Sequence, residues 1–175
     1  NAIATVTVTA PSGHKITYKE GDLWTYTNNP SSAEKGEEVK FDVTPDAGYS
    51  LKVTSDDVNV SNSNGNTYTF TMPDKDVTIN VTAEEILTEV TINVNPAGKG
   101  TVYVDDQLFT PGGTITVGVE TSHTITATPV VGYGVTAWSW DSDKLTVTGN
   151  ETITLKGKGN SDPATLTANF IPLYA

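Results

Sequence analysis

Trp138-Ser139-Trp140, followed by Asp141 and Asp143, is the segment best equipped to hold another molecule. Residues two apart on a strand face the same side, so the two indoles share a face. A flat aromatic face stacks on the apolar face of a sugar ring, and neighbouring carboxylates accept its hydroxyl protons. Plain core packing beside Tyr133 is the competing account of the same residues. Trp24 and Tyr26, ahead of Asn28-Asn29-Pro30, repeat the pattern. Trp140, Asp141, Asp143, Trp24 and Tyr26 are therefore the candidate ligand-binding residues, with a carbohydrate as the ligand they suit.

Other reactive chemistry is scarce. The 175 residues include no cysteine and only two histidines, His14 and His123. That removes disulfides, thiolate nucleophiles and zinc–thiolate sites together. His123 opens an alternating strand, where a half-exposed surface histidine is the plain reading, and His14 falls in a turn, Pro11-Ser12-Gly13-His14. Acidic clusters occur at Asp56-Asp57, Asp74 with Asp76, Glu84-Glu85 with Glu89, and Asp105-Asp106. Calcium needs six to eight oxygens from a suitable loop, and no Asp-x-Asp-x-Asp-Gly run is present. Asp105-Asp106 lies between Tyr103-Val104 and Leu108-Phe109, where a tight hairpin turn wants such residues. Paired carboxylates for glycoside cleavage need a deep cleft that raises one pKa, and small modules offer little depth. No catalytic residue, metal or cofactor is expected, and the chain is not read as an enzyme.

Charge narrows the partners. Ten basic residues, all Lys, stand against 21 acidic ones, a formal charge of −11. Such a chain repels phosphate, which argues against nucleic acid. No apolar run is long enough for a transmembrane helix.

The elements that must position these residues are strands. Thr and Val dominate, both β-branched and suited to a pleated, half-buried surface. Alternation recurs at Thr5–Thr9, Val39–Val43, Tyr68–Met72, Val77–Val81, Val90–Val94 and Thr124–Ala127. Turn clusters separate these runs, among them Asp46-Ala47-Gly48, Asn62-Ser63-Asn64-Gly65 and Thr148-Gly149-Asn150. The pattern predicts an all-β protein with no substantial helix.

The pattern also repeats. Val43-Thr44-Pro45-Asp46-Ala47-Gly48-Tyr49 reads like Ala127-Thr128-Pro129-Val130-Val131-Gly132-Tyr133, since 129 − 45 = 84. The same offset lays Val6–Val8 on Val90–Ile92, and one more residue lays Tyr68 and Phe70 on Ile153 and Leu155, and Val81–Ala83 on Leu166–Ala168. Two tandem modules, 1–85 and 86–175, are expected.

Several motifs now fall in a familiar order: Gly100-Thr101-Val102, Pro111-Gly112-Gly113, Thr124-Ile125-Thr126-Ala127-Thr128-Pro129, Gly132-Tyr133, Trp138-Ser139 and Leu166–Phe170. This half resembles the divergent internalin-B-type B-repeat of bacterial surface proteins. The first half resembles the related Listeria–Bacteroides repeat through Lys35–Val39, Pro45–Tyr49, Tyr68–Pro73 and Asp76–Thr78. The resemblance departs at Trp140, which stands where the family usually has Gly.

It implies small β-rich modules, β-grasp-like in the parent repeat, whereas periodicity alone leaves an Ig-like sandwich equally open. It further implies a non-catalytic, exported segment, secreted or anchored at the outer membrane, serving adhesion or acting as a stalk or spacer. Carbohydrate binding through the Trp and Tyr platforms is the alternative. The expected partner is a host or cell-surface glycan or protein, with weak self-association through an exposed edge strand also open.

Overall fold

The computed structural model describes residues 3–5 and 13–174. The Thr5–Thr9 strand and the Val6–Val8 equivalence expected above therefore lie almost wholly outside the described residues. Among the described residues there are seventeen strands and no helix. The chain divides into two compact units: unit 1 draws on Asn1–Asp46 and Leu51–Glu84, and unit 2 on Ala47–Ser50 and Glu85–Ala175.

In unit 1 the strands are β1 (His14–Tyr18), β2 (Trp24–Asn28), β3 (Ser32–Ala33) and β4 (Glu38–Pro45). They continue as β5 (Tyr49–Thr54), β6 (Ser61–Asn64), β7 (Thr67–Thr71) and β8 (Val77–Glu85). These build two sheets, ordered β3-β1-β8-β5 and β2-β4-β7-β6. Alternation sends Val39, Phe41 and Val43 of β4 inward from one sheet, and Val77, Ile79 and Val81 of β8 from the other, all buried in one cluster. Four rings knit this core: Phe41 touches Tyr18, Tyr68 and Phe70 with centroids 5.3, 5.7 and 6.2 Å away. The cluster Asn62-Ser63-Asn64-Gly65, expected as a turn, instead puts three residues in β6 and leaves the turn to Gly65, whose φ of 56° suits glycine.

Unit 2 comprises β9 (Thr88–Asn95), β10 (Gly100–Val104), β11 (Gln107–Phe109), β12 (Thr114–Val117) and β13 (Ser122–Pro129). Then come β14 (Tyr133–Trp140), β15 (Leu145–Gly149), β16 (Thr152–Gly157) and β17 (Ala164–Pro172). Its sheets run β12-β9-β17-β14 and β11-β10-β13-β16-β15. Ile92, Leu166 and Trp138 from one sheet meet Val102, Ile125 and Leu155 from the other in a separate buried cluster. Each unit is thus built as a two-sheet sandwich, and among the described residues no helix packs on either sheet.

The two strand orders match one for one, with β11 as the extra strand. Both units also pair a strand of the first turn in parallel with the closing strand, β1 with β8 and β9 with β17. Registers place the equivalences. Trp24 faces Pro45 and Gly100 faces Pro129, so β2 maps on β10 with 100 − 24 = 76, while β4 maps on β13 with 84. The difference is the hairpin of β10 and β11, whose two-residue turn Asp105-Asp106 has φ of 48° and 65°, the left-handed pair that such hairpins require.

One of the sequence equivalences needs correction. Among the described residues Ile16 of β1 pairs with Val77, as Val90 of β9 pairs with Ala164. The closing strands correspond with an offset of 87, not 85: the backbone N–H groups of Thr78 and Thr165 each donate to an aspartate, Asp57 and Asp141, at 2.9 Å. A slip of two residues keeps every side chain on its face, so alternation could not detect it.

Candidate functional site

The hollow that Trp140 lines lies in unit 2, between the edge strands β14 and β15 and the turn into β16. Its volume is about 510 Å³, and Val135, Thr136, Ala137, Trp138, Trp140, Val147, Gly149, Asn150 and Glu151 line it. Alternation along β14 gives both indoles to this side, as the two-residue spacing required. Their roles differ. Trp138 is 8% exposed and belongs to the core, whereas Trp140 is 38% exposed.

The indole N–H of Trp138 donates to the Asn150 carbonyl at 2.6 Å, which ties the β15–β16 turn to β14. That turn depends on Gly149, at φ 112°, where a Cβ would run into the Thr152 carbonyl. The turn is therefore fixed from both ends, and it presents Asn150 and Glu151 at the mouth of the hollow. A bulge between Val135 and Ala137 on β14 turns Thr136 into the lining, with its hydroxyl donating to the Asn169 carbonyl at 3.3 Å.

The carboxylates proposed as neighbours of the indoles stand elsewhere. Asp141 accepts the Thr165 N–H through its side chain, and its backbone carbonyl accepts the N–H groups of Lys144 and Leu145. It is a turn cap, duplicated in unit 1 by Asp57. Asp143 is exposed in the same turn and does not line the hollow. Asn150, Glu151 and Thr136 supply the polar lining instead. In the sequence Asn150 stands only in a turn cluster, because the packing that brings β15–β16 beside β14 leaves no local signal.

Trp24 and Tyr26 are directed into unit 1. Both rings pack against its core, and the Trp24 N–H and Tyr26 hydroxyl donate to one carbonyl, that of Lys19, at 3.0 and 2.6 Å. Burial pushes the Tyr26 phenol above its ordinary pKa, with the Trp24 hydrogen bond opposing and the charge of Glu20 adding to the rise. Tyr26 and Trp24 thus form a packed corner rather than an open platform.

Both histidines, Asp105 and Glu85 make structural contacts. His14, expected in a turn, begins β1, and its Nε2 lies 3.0 Å from Asp74. His123 spans Asp105 Oδ2 at 2.6 Å and the Thr116 carbonyl at 3.0 Å. Asp105 is held below the usual carboxylate range, first by the hydrogen bond from His123 and then by the Thr124 N–H. Glu85 is lowered chiefly by the Thr121 hydroxyl, against a smaller desolvation effect, with backbone N–H groups of Glu120 and Thr121 adding to it. No group of three or more His, Asp or Glu able to hold a metal ion occurs among the described residues, and no described helix is long and apolar enough to cross a membrane.

Comparison with known proteins agrees with the duplicated architecture. A family profile, the divergent InlB B-repeat domain, matches residues 4–85 and again residues 90–172. A search of curated proteins returns no match. Repeats of this family occur in bacterial surface proteins and are typically non-catalytic. Two sandwiches of one strand order, each covered by the same profile, place this chain in the divergent InlB B-repeat family as two tandem copies.

Proposed function

We propose that the chain is a non-catalytic adhesive segment of a bacterial surface protein, exported beyond the cell envelope, with modules 1–85 and 86–175. The second repeat makes the contact and the first serves as spacer. The observation that carries this reading is the exposed Trp140 ring on the wall of a hollow whose floor, Trp138, is already closed by packing. An aromatic residue left in water beside a preformed concavity fits recognition better than packing. The excess of 21 acidic over 10 basic residues keeps such a segment soluble and disfavours phosphate-rich partners.

The test is binding of the intact chain to arrays of host-matrix proteins and cell-surface glycans, with Trp140→Ala in parallel. Retention of at least one class by the wild-type chain, and its loss in the variant, is expected. Failure to retain anything would leave the spacer role alone and end the adhesive reading. Sedimentation across a range of concentrations tests the competing use of an open edge strand: the chain is expected to stay monomeric, and concentration-dependent dimers would transfer adhesion to self-pairing.

A further inference from the structure

The two repeats provide an internal control for the hollow. Asp57 and Asp141 both cap the second residue of the closing strand. The residue before each cap can therefore be compared directly: in unit 1 it is Asp56, exposed, and in unit 2 it is Trp140. One fold accepts a charged residue at this point, so packing does not demand an indole there. The cap recurs because the sheet needs it; the indole does not recur.

The rest of the lining sets the chemistry. Asn150 and Glu151 have no side-chain hydrogen bond or ion pair among the described residues, and no Lys lines the hollow. A carboxylate, a carboxamide and the Thr136 hydroxyl around an exposed indole match the hydroxyls and the apolar face of a pyranose. The same carboxylate, in a chain of net charge −11, repels sulfated, phosphorylated or uronic ligands. A peptide strand added to β14 is disfavoured because the bulge at Val135/Ala137 breaks the row of backbone donors such pairing uses.

We infer that the hollow between β14 and the β15–β16 turn binds a neutral glycan, with one sugar ring stacked on Trp140 and its hydroxyls held by Glu151 and Asn150. This rests on the adhesive reading and gives it a ligand class. Because Gly149 and the Trp138–Asn150 hydrogen bond hold the turn in place, little ordering is required on binding.

An array of neutral and acidic glycans, followed by titration of the best neutral oligosaccharide against tryptophan emission of the full chain, tests the assignment. The expected result is saturable change with neutral glycans and none with a heparin oligosaccharide. Trp140→Ala should weaken affinity by about tenfold or more, as loss of a stacked ring does. Glu151→Gln, which cannot disturb the core, should weaken it severalfold, and Trp24→Phe should leave it unchanged. Binding only of acidic glycans, affinity unaltered in both Trp140→Ala and Glu151→Gln, or no neutral glycan bound at all would overturn the inference. Retention of a matrix protein that depends on Trp140, without any glycan, would overturn it while leaving the adhesive reading intact.

Discussion

Unit 1 and unit 2 share a strand order and a pair of capping aspartates, yet their cores are made of different material. Phe41, Tyr68 and Phe70 in the first correspond to Ile125, Ile153 and Leu155 in the second, and the registers of β4 with β7 and of β13 with β16 confirm the match. The aromatic core brings polar tips that need partners, and Tyr18 accordingly donates its hydroxyl to the Pro30 carbonyl at 2.8 Å. The aliphatic residues need none; the core is completed by Phe170 and by Trp138, whose N–H alone takes a partner, the Asn150 carbonyl. A second exchange occurs at β2 and β10. Trp24 covers Gly21 in unit 1, whereas in unit 2 the facing position is Gly100, overlaid by Phe170 of β17. Alternation and caps thus dictate the sandwich, and total volume, not residue type, dictates how it is filled.

The largest expected effect tests the aromatic core. Phe41→Ala should destabilise unit 1 by about 3 to 5 kcal/mol, read by chemical denaturation, and Phe41→Ile, the unit 2 residue, should cost measurably less. Equal losses would show that the ring contacts, not the volume, are required. Next come the two indoles: Trp138→Ala is expected to cost about 3 to 5 kcal/mol and Trp140→Ala only about 1 kcal/mol. Similar values for both would make Trp140 a core residue and remove the distinction between the repeats at that point.

Gly100→Ala should cost about 1 to 3 kcal/mol by forcing Phe170 aside, and thermal melts that show no change would break the exchange described for β2 and β10. Asp57→Ala and Asp141→Ala should each cost about 1 kcal/mol and by like amounts. A marked inequality in hydrogen exchange at Thr78 and Thr165 would mean that the caps are not equivalent.

The smallest effect is on acid stability. Asp74 is lowered first by the His14 hydrogen bond, then by Lys35, and Asp105 first by His123. A carboxyl lowered in the folded state contributes fully above its unfolded pKa of about 4 and loses that contribution as pH falls through the folded value. The melting temperature should therefore drop on acidification below about pH 4, and Asp74→Asn and Asp105→Asn should each flatten the slope slightly. Both carboxylates are largely solvated, so salt should shrink the effect in both repeats.

Much of this was legible in advance. Period-two alternation marked β4, β7, β8, β9 and β13, and the matched Pro–Gly–Tyr segments revealed the duplication. Less legible were the ends of the repeat. The strands β1 and β9 pair with the closing strands β8 and β17 across more than sixty residues, and nothing local signals that pairing. The site was half visible: Trp138 and Trp140 on one face followed from spacing, but their division into floor and wall did not. Asp141 read as a ligand group because a carboxylate beside an indole looks like one; the Thr165 N–H that occupies it lies 24 residues on.

What the sequence determined by itself was the kind of element, the side each residue faces and the existence of two copies, since these depend on backbone sterics and short-range pattern. The tertiary structure alone decided the registers, which polar groups are already bonded and which ring remains in water. Those outcomes depend on contacts between distant segments, where a shift of two residues preserves every local preference and changes every neighbour.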